Sequence, residues 1–204
     1  MSDLFLLRGK KEEEKTRLPP GQHWVDHILG WGTEHRAIVT EIPDIDTGDW
    51  VLQVEGSVDQ PMEYSWEMFM DLPQVVSVSD FHCVETWSVK DQKWMGVRFT
   101  TLMDDVTPTR KAKYCFFEAY DGYTTSLPVS ELAGDDVLLA HRLNDKDLPR
   151  SLGGPVRLVV PHKYAYKSIM WLNRIQFSER DKLGYWERNG YHNNADPWRR
   201  QRYK

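Results

Sequence analysis

Two cysteines are available to this chain, and they keep different company. Cys83 follows an alternating run, Val75-Val76-Ser77-Val78-Ser79, through Asp80-Phe81-His82, and Trp87 comes shortly after it. Such alternation marks a strand, so the thiol stands where a strand gives way to a loop, a common place for functional side chains. Free cysteine is among the most buried residue types, and the bare residue favours that role. As a thiolate the same side chain is a nucleophile or a soft metal ligand. Protonated His82 beside it would favour the thiolate. Cys115, set among Tyr114, Phe116 and Phe117, reads as core. Without a C-x-x-C pair, two cysteines exclude a four-thiolate zinc site and allow at most one disulfide. A reduced, intracellular thiol is the expectation.

Three further stretches could carry chemistry. Gly153-Gly154-Pro155 precedes an apolar run, Val156 to Val160, interrupted by Arg157; His162, Lys163, Lys167 and Ser168 follow. A glycine turn permits close backbone approach, and the cations suit an anion or phosphate. A strand flanked by a solvated basic loop explains them equally well. Tyr120-Asp121-Gly122-Tyr123-Thr124-Thr125-Ser126-Leu127-Pro128 reads as a hydroxyl-rich turn, in which Tyr123 alone could donate into a pocket. Gly184 to Trp198 is dense in aromatics and amides and reads as a C-terminal wrap over the core. His192 with Asp196 is too little for a metal site.

These groups need a scaffold. The chain has 204 residues, 40% hydrophobic and 28% charged, with nine Trp and nine Tyr. That is a globular composition, large enough to fold without disulfides. A net charge of −5 argues against nucleic-acid binding. No run approaches the roughly 20 apolar residues of a membrane helix, and Leu4-Phe5-Leu6-Leu7 is too short for a secretion signal. The expectation is a soluble cytoplasmic protein. Residues 1–17 read as a flexible arm and 18–204 as a single domain. Strands are predicted at Asp49–Gly56, Val75–Phe81, Lys113–Ala119, Val137–Arg142, Val156–Val160 and Arg174–Phe177, the fifth buried on both faces. A short helix is predicted from a Ser65 cap to Leu72, stopped by Pro73. The class is α+β, mostly β, with mixed sheets and few short helices.

In this order and spacing, the motifs resemble the molybdenum-cofactor domain of the sulfite oxidase family. The likeness runs from Pro19-Pro20-Gly21-Gln22 to Asp196-Pro197-Trp198. It rests on His82-Cys83-Val84, Gly122–Pro128, Asp135–Ala140, Gly153–His162 and Trp186–Asn193. It is closest to short cytoplasmic bacterial and archaeal sulfite-oxidase-like oxidoreductases. The resemblance implies a molybdopterin cofactor with Cys83 as thiolate ligand to molybdenum. It implies Tyr123 beside the metal, Arg157 as a cofactor contact, and Ser168-Ile169-Met170 at the family's S-x-K segment. From charge alone, His162, Lys163 and Lys167 extend that set toward the pterin phosphate, and His82 joins Tyr123 and Cys83 as a tuning residue.

Two departures matter. Met170 stands where the family has lysine, so one phosphate or pterin contact is missing or supplied by Lys167. Glu85-Thr86-Trp87 stands where sulfite oxidases carry arginine, and a carboxylate there disfavours a doubly charged anion. Cys83-Val84-Glu85 looks more like the methionine-sulfoxide reductase branch of the same superfamily. The implied activity is oxygen-atom and two-electron transfer at molybdenum on a small molecule, with an unidentified electron donor or acceptor. The substrate would be sulfite or a related sulfur compound, or else a sulfoxide or N-oxide being reduced. The rivals are a cysteine hydrolase using Cys83 and His192, and a binding module without turnover.

Overall fold

The computed structural model describes residues 17–30, 38 and 41–204. Its strands are β1 (His23–Trp24), β2 (Val51–Gly56), β3 (Met62–Ser65), β4 (Gln74–His82), β5 (Trp87–Arg98), β6 (Tyr114–Ala119), β7 (Thr124–Pro128), β8 (Leu138–Leu143), β9 (Lys146–Asp147), β10 (Arg157–Val159) and β11 (Leu172–Ser178). Three α-helices accompany them among the described residues: α1 (Trp66–Asp71), α2 (Phe99–Val106) and α3 (Tyr185–Arg188). The expected mostly-β, mixed-sheet class is what folds. All six predicted strands are present, and β10 is buried throughout. Ser65 caps α1 by accepting from the Met68 amide at 3.3 Å, and the helix ends at Leu72, before Pro73.

The strands form two sheets. One runs β1-β5-β8-β10, with β4 also on β5 and β9 on β8; the other runs β3-β2-β11-β6-β7. Pairing is antiparallel except for β1 with β5 and β11 with β2. Two elements depart from expectation. Thr124–Pro128 is not a turn but the strand β7, whose Thr125 and Ser126 hydroxyls are buried yet bonded to Glu187 and Asp181. The twelve-residue β5 is hidden in sequence because Lys90-Asp91-Gln92-Lys93 breaks its apolar alternation. No helix among the described residues is long and apolar enough to cross a membrane. The expected arm lies outside the described residues up to residue 16; Arg17 itself pairs with Asp80 and Asp91.

Two cores form, and the larger lies between the sheets, taking Val97, Leu139 and Leu158 from the first and Leu52, Phe117 and Ile175 from the second. Trp50, Phe99, Cys115 and Phe177 also belong to it; the other core is built around Phe81, Trp94, Val159 and Tyr164. On β8, His141 is buried edge-on to Trp66 and Phe69, with centroids 5.9 and 6.2 Å away. Its Nε2 has no hydrogen-bond partner among the described residues. Burial, aided by Arg142, holds its pKa below the ordinary histidine value. A histidine depressed in the folded state takes up a proton on unfolding, so stability is lost as pH falls from about 6.5 downward. His141→Phe is expected to flatten that acid limb when unfolding free energy is measured in urea across pH. An unchanged slope would show that water already reaches the ring.

Candidate active site

Cys83 sits at the first position of the turn joining β4 to β5. Its amide donates to Trp87 O at 2.9 Å, and its carbonyl accepts from Thr86 N at 3.2 Å and from Gln22 Nε2 at 3.0 Å. Thr86 closes the turn at φ 84°, a left-handed conformation that costs a non-glycine residue about 1–3 kcal/mol. Gln22 also accepts from Ser88 Oγ at 3.2 Å, and Ser88 Oγ lies 2.8 Å from His82 Nδ1. The serine proton is therefore committed to Gln22, and neutral His82 donates from Nδ1 to the serine. This chain of polar groups fixes the backbone on which the thiol is mounted.

Strand alternation sends Phe81 and Cys83 into one cavity and His82 to the other face. The cavity, about 230 Å³, lies where the two cores meet, with Cys83 and Phe81 from one and Tyr123 and Ile169 from the other. Arg157, Ser168 and Met170 also line it. Its space takes roughly 15–20 water-sized atoms, the scale of a tricyclic ring system.

Of the residues singled out in the sequence, Cys83, Tyr123, Arg157, Ser168, Ile169 and Met170 are brought together here. His82, His162, Lys163 and Lys167 are not. Burial holds His82 neutral, with its pKa pulled down to about 4, so it offers the thiol no positive charge. His162 Nε2 and Lys163 Nζ both bond Glu131, at 2.9 and 3.1 Å. Lys163 Nζ also donates to Asn194 at 2.8 Å. Lys167 is fully buried and paired with Glu187. Carboxylates distant in sequence have taken up the charges that looked free for a phosphate. Gly153 and Gly154 are not an anion cradle either. A Cβ on Gly153 would come within 2.6 Å of Met170 Cβ, and one on Gly154 within 2.2 Å of Leu148 O, so both serve packing.

Arg157 is the exception among these cations. It is 3% exposed and stacks on Phe81 and Trp94, at 5.1 and 5.6 Å from the ring centroids. It donates to the carbonyls of Leu152 and Ser168 at 2.9 and 2.7 Å. No carboxylate pairs with it among the described residues, and burial pulls its pKa down to about 9. A buried guanidinium without a counter-ion is costly in the free protein and calls for an anionic partner. Burial also pushes the Cys83 thiol up to about 12, so alone it is protonated and a poor nucleophile. Coordination to a metal removes that proton outright. A ring-sized cavity, an uncompensated cation and a thiol that ionises only on a soft metal fit the metal–pterin group implied by the sequence. The hydrolase alternative does not fit. His192 does not line the cavity, and its Nδ1 accepts from Asn194 N at 3.0 Å.

Tyr123 Oη donates to Tyr166 O at 2.6 Å, and burial raises its pKa well above the ordinary phenol value. Its hydroxyl therefore stays protonated and can still accept a hydrogen bond. Sequence reasoning passed over Asp121, Tyr166, Trp186 and Tyr191, which also line the cavity. Each belongs to a stretch noted for its composition, but nothing in the spacing marks its direction. Gln22 carries no sequence signal that links it to Cys83. No cluster of three metal-binding His, Cys, Asp or Glu residues occurs among the described residues.

Comparison with known proteins agrees with this geometry. The chain is 35% identical to the uncharacterized oxidoreductase YuiH of Bacillus subtilis, over 98% of both chains. It is 28% identical to the catalytic subunit MsrP of a protein-methionine-sulfoxide reductase of Campylobacter jejuni, covering 82% of this chain and 63% of that one. Sulfane dehydrogenase SoxCD of Paracoccus pantotrophus shares the fold with a TM-score of 0.67 at 20% identity, over 77% of this chain and 43% of that one. The model of the oxidoreductase molybdopterin-binding domain matches residues 39–186. The chain belongs to that family and is a molybdopterin-dependent oxidoreductase of sulfite-oxidase-like fold.

Proposed function

We propose that this enzyme reduces a neutral sulfoxide, with Cys83 holding molybdenum and Arg157 facing the negative charge of the cofactor. When bound, the molybdenum–pterin supplies the transfer of one oxygen atom coupled to two electrons. The chain positions it and shapes access. Gln22 and the Thr86 turn hold the thiol in place. Tyr123, its proton given to Tyr166, presents an acceptor. Burial raises the Asp121 pKa, so this lining carboxyl keeps its proton more readily than an ordinary aspartate.

The observation that carries the substrate class is the charge of the cavity wall. Trp87, Tyr166, Trp186 and Tyr191 supply aromatic surface, Glu85 and Asp121 supply carboxylates, and Arg157 is the only cation among the described lining residues. A neutral, polarisable sulfur group suits such aromatic walls, and a single cation turned to the cofactor leaves little to hold a doubly charged anion. The names of relatives assigned to methionine-sulfoxide reduction point the same way. Among the described residues, Arg157 is the feature that favours sulfite oxidation instead. Molybdenum-loaded protein is expected to oxidise reduced viologen with methionine sulfoxide or dimethyl sulfoxide. Its kcat/KM should be at least about tenfold above that for ferricyanide-coupled sulfite oxidation, a difference of about 1.4 kcal/mol. The opposite ratio would make Arg157 a substrate contact and overturn the assignment.

A further inference from the structure

Trp198 is 44% exposed, yet its ring packs edge-on against His82 with centroids 5.1 Å apart. His82 is only 2% exposed and is peptide-bonded to Cys83. The indole is thus the surface end of a contact that begins one peptide bond from the thiol. Its surroundings are positive. Residues 198–204 contain Arg199, Arg200, Arg202 and Lys204 and no acidic residue, in a chain whose net charge is −5. The Arg200 guanidinium lies against Gly21, and Arg202 donates to Gly21 O at 3.3 Å. Both therefore gather beside the segment whose next residue, Gln22, holds the Cys83 carbonyl. Neither has a carboxylate partner among the described residues; Arg199 has Asp196 at 3.5 Å, in an exposed pair.

Resting on the reductase reading, we propose that this face docks an acidic electron-carrier protein, with Trp198 and His82 as the contact leading to the Cys83 side of the site. An exposed aromatic anchor ringed by arginine is the usual composition of an interface core, and local positive charge on an acidic protein selects an acidic partner. The electron balance requires such a partner. Each sulfoxide takes two electrons and two protons and leaves as sulfide and water, so two one-electron carriers are oxidised per turnover. A reduced iron–sulfur ferredoxin has the required chemistry and charge. Exposed Trp and Tyr beside basic residues also suit an anionic lipid surface. The direct ring contact toward the redox site favours the carrier.

The test titrates the loaded enzyme with an acidic [2Fe–2S] ferredoxin by calorimetry, beside vesicles containing phosphatidylglycerol. Ferredoxin binding is expected to weaken about tenfold or more between about 50 and 300 mM salt. The variant Arg199→Glu/Arg200→Glu, with an unchanged melting temperature, is expected to lose about tenfold or more in affinity. Trp198→Ala should keep viologen-driven turnover within about twofold while ferredoxin-driven turnover falls about tenfold. Equal affinity for the charge-reversed variant, binding to vesicles but not ferredoxin, or equal loss with both donors would overturn the proposal. Absent viologen-driven turnover would sink the reductase reading alone, because the titration still judges the surface.

Discussion

Cys83→Ser is expected to yield a folded protein that retains almost no molybdenum. The fold should survive, because the main chain at this position is held by Trp87, Thr86 and Gln22 through backbone atoms that serine also has. The change of one sulfur to one oxygen is the whole perturbation. The metal should not survive, because a hard alcohol oxygen, ionised even less readily than the buried thiol, is a poor match for a site that selects a soft donor. Losing a residue that merely orients a ligand costs about 10–100-fold in metal affinity or activity, so losing the ligand itself should cost at least about 100-fold. Elemental analysis of parent and variant expressed with molybdate decides it, with viologen-coupled turnover as the second readout. Full occupancy in the variant would remove Cys83 from the metal. The apo parent supplies an independent check. With its thiol pushed up to about 12 by burial, it should react with a disulfide reagent at pH 8 only when unfolded.

How much of this could be read from the sequence depends on whether the signal was local. Strand periodicity is local, so β2, β4 and β6 were legible, as was the capped helix α1 between Ser65 and Pro73. β7 was not, because its inward Thr125 and Ser126 look like turn residues until Glu187 and Asp181 arrive from the C-terminal region to satisfy them. The site divides the same way. Cys83 and Tyr123, which the ordered motifs single out, both line the cavity, and Arg157 interrupts an apolar strand that advertises its burial. His162, Lys163 and Lys167 do not line the cavity, for a physical reason. A basic residue shows its charge in the sequence but not its counter-ion, and theirs come from Glu131 and Glu187. Strand alternation, the rule that found Cys83, also implied that His82 points the opposite way.

Lys167→Met should destabilise the protein by about 3–5 kcal/mol, because it strands Glu187 as a buried, unpaired charge. The pair is completely enclosed, with both side chains at 0% exposure. Lys167 Nζ spends its three protons on Glu187, Ser126 O at 2.8 Å and Asn193 Oδ1 at 3.4 Å. Glu187 Oε1 also accepts from Thr125 Oγ1 at 2.7 Å, while Oε2 has no partner among the described residues. Gly184 makes the approach possible, since a Cβ there would meet Thr124 O at 2.3 Å and hold α3 away from β7. Burial lowers the Lys167 pKa even against the pull of Glu187, so desolvation and attraction oppose each other here. The double variant Lys167→Met/Glu187→Leu should therefore recover most of the loss, since apolar replacement of a buried pair is often neutral or better. In urea, the single variant should lower the midpoint at unchanged slope, with Tm down by roughly 6–20 °C. The loss should reach the cofactor as well. The pair ties the turn Ala165–Lys167 to α3, and Ala165, Tyr166 and Trp186 on those elements line the cavity. A cost below about 1 kcal/mol, in the range of solvent-screened pairs, would mean that water enters behind the site and that this pair does not hold its wall in place.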